Sequence, residues 1–125
     1  MAELSNPSLQ ITISSSSEAD VDARVDVGLT PLEQFLIVAA GLRLQLRCTL
    51  RGSDLIFDNN LFNFEFQDVT GANSFTFARR LPRSILDEDS PLQDDEVYAR
   101  FRLVSLEPIF PLDITRNSSV VTGSF

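Results

Sequence analysis

Strict alternation of apolar and polar residues over residues 41–52, GLRLQLRCTLRG, constrains the fold more than any other stretch of this chain. Successive side chains of a strand point to opposite faces of a sheet, so this pattern predicts a strand with one buried and one solvated face. The residues expected inside are Leu42, Leu44, Leu46, Cys48 and Leu50, and those expected outside are Arg43, Gln45, Arg47, Thr49 and Arg51.

Two further stretches alternate in the same way, DVDARVDVGL at 20–29 and EVYARFRLVSL at 96–106. Each predicts a half-buried strand of an antiparallel sheet. In the first, Val21, Ala23, Val25 and Val27 point inward and Asp20, Asp22, Arg24 and Asp26 outward; in the second, Val97, Ala99, Phe101 and Leu103 point inward and Tyr98, Arg100 and Arg102 outward.

Shorter segments add further strands. LQITISS at 9–15 alternates, and SSVVTGSF at 118–125 is expected to form the last strand. LFNFEFQ at 61–67 and SFTFARR at 74–80 flank the turn-forming residues DVTGAN. Glycine and asparagine favour turns, so residues 61–80 are predicted to form a hairpin.

The stretch TPLEQFLIVAAG at 30–41 changes to a helical period. Thr30 and Glu33 make a capping box, Pro31 suits the first helical position, and Gly41 suits the end, so a helix is predicted over about 31–40. Its middle is apolar on every side, which indicates that it is either buried in the core or faces a partner chain through Phe35 and Ile37. A buried strand is the third reading, because Ile and Val favour strands.

Seven to eight short strands and one short helix predict an all-β fold, an antiparallel β-sandwich of immunoglobulin-like or jelly-roll-like architecture. Residues 1–7 are expected to be a flexible tail and residues 8–125 a single domain. No Cys…Trp…Cys pattern of antibody domains is present in the sequence.

Charge and composition exclude several functions. Eighteen acidic and ten basic residues give a net charge of −8, which disfavours nucleic acids and anionic membranes as partners. Every basic residue is Arg, and His and Lys are absent, so the commonest general base and the Schiff-base amine are missing. One Cys forms neither an internal disulfide nor a thiolate zinc cage. No catalytic residue is predicted, and the protein is expected not to be an enzyme.

The N-terminal residues have neither the basic nor the apolar region of a signal peptide, and no apolar run approaches the roughly 18 residues that cross a bilayer. We therefore expect a cytoplasmic protein, or one carried in a secreted or virus-like assembly, without membrane insertion.

An acidic segment, LDEDSPLQDDE at 86–96, precedes the strand at 96–106. Calcium binds clustered carboxylates, which makes Asp87, Asp89, Asp94 and Asp95 candidate ligands. The spacing matches no EF-hand loop, so a solvated loop is the alternative. A glycosidase-type carboxylate pair is disfavoured, because the chain has no Trp and one Tyr for a sugar platform.

Arginine and aspartate stripes mark the candidate interface. Arg43, Arg47 and Arg51 share one strand face, Arg100 and Arg102 with Tyr98 share another, and Asp20, Asp22 and Asp26 share a third. If these strands are neighbours, the opposite charges pair within the chain; if they are not, the two stripes suit head-to-tail assembly between copies. A site for a small anion is a third reading.

The sequence therefore predicts a non-enzymatic structural, assembly or protein-interaction module that acts through its β-sheet faces. Its partner is expected to be a second copy or another assembly subunit. The alternative is a calcium-dependent binding module that uses residues 87–96, with calcium as its cofactor.

Overall fold

The computed structural model describes residues 1–53, 58–86, 95–123 and 125, and over these residues it forms nine strands and two helices. The strands are β1 (Glu3–Ile13), β2 (Glu18–Gly28), β3 (Leu44–Ser53), β4 (Asp58–Asn63), β5 (Gln67–Val69), β6 (Asn73–Pro82), β7 (Asp95–Ser105), β8 (Asp113–Asn117) and β9 (Val121–Gly123). The helices are α1 (Pro31–Ala40) and α2 (Arg83–Leu86).

The strands form two antiparallel sheets. The three-stranded sheet has the order β1-β2-β6. The six-stranded sheet has the order β4-β3-β7-β8, with β5 paired to β3 beside β4 and β9 paired to β7 beside β8. The predicted all-β sandwich-like fold is confirmed, with nine strands in place of seven to eight.

The core lies between the two sheets and follows the alternation of the sequence. The inward residues predicted for β2, β3 and β7 are buried, as are Phe77 and Leu81 of β6. Three phenylalanine rings join the sheets: Phe64 lies 5.8 Å from Phe77, and Phe77 lies 6.3 Å from Phe101, measured between ring centroids. Burial of these apolar faces is the main stabilising contribution.

Helix α1 connects the two sheets at one end of the sandwich, with the predicted bounds. Thr30 and Glu33 form the capping box, and Gly41 ends the helix in the left-handed conformation at φ 70°. Its apolar residues divide between the core and the surface: Leu36 and Ile37 pack against the core, whereas Leu32, Phe35 and Val38 are exposed. Neither helix has the length and apolar composition needed to cross a bilayer in the described part of the chain.

The predicted tail over residues 1–7 is a strand instead. Strand β1 begins at Glu3, and Ala2 and Leu4 are buried on its inner side. The register shifts between Ser5 and Ser8, where Asn6 has a φ of 50°. Pro7 therefore sits in a bulge of the strand and does not mark a disordered end.

The predicted hairpin over residues 61–80 is wrong. Strands β4 and β5 both pair with β3, whereas β6 pairs with β2 in the other sheet. The turn at 70–72 therefore carries the chain from one sheet to the other. Two aromatic strands beside a turn have the same sequence pattern whether they pair with each other or with different partners.

Candidate functional site: the arginine face

The register of β3 against β7 brings the two predicted arginine stripes together. Arg47 lies opposite Arg102, Thr49 opposite Arg100, and Arg51 opposite Tyr98. These side chains point away from the core on the outer side of the six-stranded sheet, because their neighbours along each strand are the buried apolar residues. We call Arg47, Arg51, Arg100 and Arg102 the arginine face.

An open groove of about 480 Å³ crosses this face. Its lining comes from three adjacent strands and comprises Arg47, Thr49, Arg51, Arg100, Arg102, Asp113 and Thr115. Four guanidinium groups surround it and one carboxylate contributes negative charge. A groove of this composition attracts carboxylates and other planar anions.

Asp113 fixes one guanidinium of the groove. The Asp113 carboxylate accepts from Arg102 Nε at 2.8 Å and from Arg102 Nη2 at 2.6 Å. The hydrogen bond from Arg102 is the main reason that the pKa of Asp113 is lowered, with a further contribution from the charge of Arg47. The same contact raises the pKa of Arg102. Bidentate pairing orients the guanidinium plane of Arg102.

Three neutral partners orient the guanidinium groups of Arg47 and Arg100. Arg100 donates to Asn117 Oδ1 at 3.3 Å and to the Tyr98 hydroxyl at 3.4 Å, and its guanidinium carbon lies 6.0 Å from the centre of the Tyr98 ring. Arg47 donates to Gln45 Oε1 at 3.2 Å. Because these partners are neutral, they orient Arg47 and Arg100 without neutralising the positive charge of either side chain.

The structure corrects two members of the predicted arginine stripe. Tyr98 is only 5% exposed, so it supports Arg100 and presents little surface of its own. Arg43 is exposed but lies before the start of β3 and does not line the groove. The alternating pattern correctly predicts that both side chains lie on the outer face of the sheet. Their exposure also depends on which strands lie beside them, and the pattern does not predict that.

Strand β8 supplies residues that the sequence pattern missed: Asp113 and Thr115 line the groove, and Asn117 binds Arg100. The stretch DITRN is five residues long and follows Pro108 and Pro111, which suggest a loop. The sequence around Asp113 has a proline two residues before it and an Ile–Thr pair after it. This pattern is too short to predict an edge strand.

The aspartates lie on the outer side of the other sheet. Asp20 binds Arg80 of β6, with Arg80 Nε 2.8 Å from Asp20 Oδ1, and Asp22 binds Arg24 at 3.1 Å. Asp26 accepts from the Ser74 hydroxyl at 2.6 Å and from Asn6 Nδ2 at 2.9 Å. Hydrogen bonding lowers the pKa of Asp20, through Arg80, and of Asp26, through Ser74 and then Asn6.

Strand β2 pairs with β1 and β6, and neither β3 nor β7 is its neighbour. The predicted pairing of Asp20, Asp22 and Asp26 with the arginine stripe within one chain therefore does not form. Glu3 and Glu18 extend the same outer surface, since they lie opposite Gly28 and Pro82 in the ladder. We call Glu3, Glu18, Asp20, Asp22 and Asp26 the carboxylate face.

The two helix residues predicted at an interface differ in exposure. Phe35 is 62% exposed, whereas Ile37 is half-buried and packs against the core. Ile37 therefore contributes to the fold, and Phe35 with Leu32 and Val38 forms an apolar surface at the end of the sandwich.

Three of the predicted calcium ligands, Asp87, Asp89 and Asp94, lie outside the described residues. Asp95 opens β7 and is buried, and its Oδ2 accepts a hydrogen bond from Phe125 N at 3.2 Å. Within residues 1–53, 58–86, 95–123 and 125, no three His, Cys, Asp or Glu side chains are placed to hold a metal ion. Calcium binding stays a prediction.

The single thiol is expected to be inert in the folded protein. Cys48 is buried between Leu46 and Leu50, and burial raises the pKa of its thiol to about 12. Because the thiolate is the reactive form, an aromatic disulfide reagent at mildly alkaline pH should label no thiol in the native protein and one thiol after denaturation. Rapid labelling of the native protein would contradict this burial.

Comparison with known proteins leaves the function open. No family model and no curated protein matches the sequence. A protein from Archaeoglobus fulgidus resembles the structure with 13% identity and a TM-score of 0.48, over 98% of this chain and 99% of that one. Two structures of β-glucosidase 3B from Thermotoga neapolitana, with glycerol and with glucose, match at 11% identity and TM-scores of 0.37 and 0.35. Each match covers 99% of this chain and 17% of the glucosidase.

Proposed function

We propose that the protein is a non-enzymatic assembly module in which the arginine face of one copy binds the carboxylate face of a second copy. The separation of opposite charges onto the two outer faces of one sandwich carries this proposal. A surface that complements a different surface of the same molecule favours head-to-tail contacts, which produce rings or open chains.

The arginine face and the carboxylate face carry opposite charge. The arginine face and its groove hold four guanidinium groups and Asp113, an excess of three positive charges. The outer side of the three-stranded sheet holds the five residues of the carboxylate face together with Arg24 and Arg80, an excess of three negative charges. Complementary potentials of this kind favour one docking orientation and disfavour like-charged contacts.

The orientation of the guanidinium groups supports recognition of carboxylates. Asn117 and Tyr98 orient Arg100, and Gln45 orients Arg47, before any partner arrives. A guanidinium that is already oriented loses less conformational freedom on binding, and its planar fork matches a carboxylate in two places. The absence of His and Lys from the sequence supports the non-enzymatic part of the proposal.

Sedimentation velocity at about 50 mM and about 500 mM salt tests the proposal, because salt screens contacts between exposed charges. We expect oligomers at low salt and their loss at high salt. The variant Arg47→Gln/Arg100→Gln removes two of the three excess positive charges, and Asp22→Asn/Asp26→Asn removes two of the three excess negative charges. Each variant alone should be monomeric, while Arg43→Gln, outside the groove, should assemble as the wild type does.

A mixing experiment makes the test sharper. The arginine variant keeps its carboxylate face and the aspartate variant keeps its arginine face, so an equimolar mixture has one functional contact. The mixture should form a discrete heterodimer and no larger species. A wild-type protein that stays monomeric at low salt and high concentration, or a mixture that stays monomeric, would overturn the proposal.

A further inference from the structure

Strand β6 is an edge strand of the three-stranded sheet, and its unpaired side faces the six-stranded sheet. Among the described residues, β2 is its one pairing partner. On the other side lies the segment Phe64–Phe66, which connects β4 to β5 outside any ladder. Edge strands present backbone N–H and C=O groups that are able to pair with another chain.

Two side-chain contacts show which groups of β6 point outward. Gln67 Nε2 donates to the carbonyl of Thr76 at 2.7 Å, and the N–H of Ser74 donates to Asn73 Oδ1 at 2.9 Å. In an antiparallel ladder, the N–H and C=O of one residue point to the same side and alternate residues point to opposite sides. Ser74, Thr76, Ala78 and Arg80 therefore direct their backbone groups away from β2.

Side chains of the chain itself occupy part of this edge, at Ser74 and Thr76. Toward the end of β6 the edge is open: in the described part of the chain, no hydrogen bond from an element other than β2 reaches the backbone of Ala78 or Arg80. Ala78 and Arg80 are exposed. A short length of strand, centred on Ala78–Arg80, is thus available for pairing.

A groove of about 250 Å³, with both polar and aromatic walls, runs beside this open length. The segment after β4 contributes Phe64, Glu65, Phe66 and Gln67 to its lining, and β6 contributes Thr76, Phe77, Ala78 and Arg79. Phe66 is 53% exposed, a large apolar side chain without full cover. The guanidinium of Arg79 stacks on Phe62, with its carbon 5.2 Å from the ring centre, and is exposed at the rim of the groove.

We propose that the outer edge of β6 binds an extended segment of another protein by strand addition. The backbone of the segment forms hydrogen bonds with the backbone of Ala78 and Arg80, and these bonds do not depend on the side chains of the segment. The groove of Phe64, Phe66 and Phe77 takes an apolar side chain of the segment, and Arg79 takes a carboxylate. Affinity from the main chain and selectivity from pockets at alternate residues are the features of this binding mode.

The charges of β6 disfavour a second copy as the occupant. Two β6 edges pairing antiparallel over Ala78–Arg80 would place Arg79 against Arg79 about their two-fold axis. Like charges directly opposite each other destabilise a strand pair. The other edge of the sheet, β1, carries the bulge at Asn6 and Pro7, and bulges of this kind blunt an edge against pairing.

Selection of binders from a displayed library of random nine-residue peptides tests the proposal on the intact protein. We expect enrichment of peptides that alternate apolar and other residues and carry a carboxylate. The variant Ala78→Pro removes the outward N–H while leaving the ladder with β2 intact, and it should weaken binding of the enriched peptides about tenfold or more. The matched control Ala78→Val keeps the N–H and should bind as the wild type does.

Two further measurements separate binding from folding. Phe66→Ala removes a groove wall at an exposed site and should weaken binding without changing the melting temperature. Two versions of an enriched peptide, methylated on the odd-numbered or on the even-numbered backbone nitrogens, test the same pairing with wild-type protein. Only the version whose methyl groups replace the N–H groups that face β6 should lose binding. This test does not require Ala78→Pro to fold. Absence of enriched peptides, equal binding to Ala78→Pro in folded form, or a dimer that depends on Ala78 would overturn the proposal.

Discussion

Replacing Phe101 with alanine is expected to lower the free energy of unfolding by about 3–5 kcal/mol, the usual cost of deleting a buried aromatic ring. Phe101 is 0% exposed and lies on the inner side of β7. Its ring faces Phe77 of the other sheet, so its removal leaves a cavity between the sheets. Urea denaturation followed by circular dichroism measures the change.

Phe66→Ala is the matched control for this prediction, because the same ring is removed at a site that is more than half exposed. The control should change the free energy of unfolding by less than about 1 kcal/mol. A cost at Phe101 no greater than that at Phe66 would mean that the two sheets do not pack around Phe101.

Replacing Glu33 with glutamine is expected to cost about 1–3 kcal/mol of stability. Glu33 is 3% exposed, and its carboxylate accepts three hydrogen bonds: from Ala2 N at 2.8 Å, from Thr30 N at 2.8 Å and from the Thr30 hydroxyl at 3.0 Å. Glutamine offers one acceptor oxygen and one donor group, so one buried N–H loses its partner. Glu65→Gln, at an exposed position, should leave stability unchanged.

The contribution of Glu33 should also depend on pH. Burial raises the pKa of the Glu33 carboxyl, but the hydrogen bonds from Thr30 and Ala2 and the charge of the N-terminus together bring the pKa below its ordinary value of 4.5. A lowered pKa in the folded state stabilises the protein above the unfolded pKa and loses that effect as the pH falls through the folded pKa. The stability difference between wild type and Glu33→Gln should therefore be constant near neutrality and narrow below about pH 4.5. A difference that widens in acid would contradict the contacts described.

Sequence periodicity predicted the interior well where a strand has one buried and one solvated face. The inward residues of β2, β3 and β7 are all buried, and the capping signals of Thr30, Glu33 and Gly41 bound α1 correctly. These are local properties, because the side-chain period of a strand and the hydrogen bonds of a helix end depend on residues close in sequence.

Long-range relations were not predictable in the same way. Whether two aromatic strands pair with each other depends on partners far along the chain, which is why the hairpin at 61–80 was wrong. The N–H of Ala2 donates to Glu33, which lies 31 residues further along the chain. That contact is not predictable from the amino-acid composition of residues 1–7.

The candidate site was predicted in part. Alternation placed Arg47, Arg51, Arg100 and Arg102 on the outer faces of their strands, but only the register of β3 against β7 shows that they share one groove. The partners that orient these side chains, Asp113 and Asn117, lie on a short edge strand without a strong pattern.

The opposite charges of the arginine face and the carboxylate face contribute an electric dipole normal to the sheets, which lie about 10 Å apart in sandwiches of this kind. In the field of another charged body, such a dipole experiences a torque that turns the molecule before any side chains touch. Added salt weakens that torque, so it should slow encounters more than it hastens separation. The orientation in which two molecules meet is then selected during diffusion, within about one Debye length of contact.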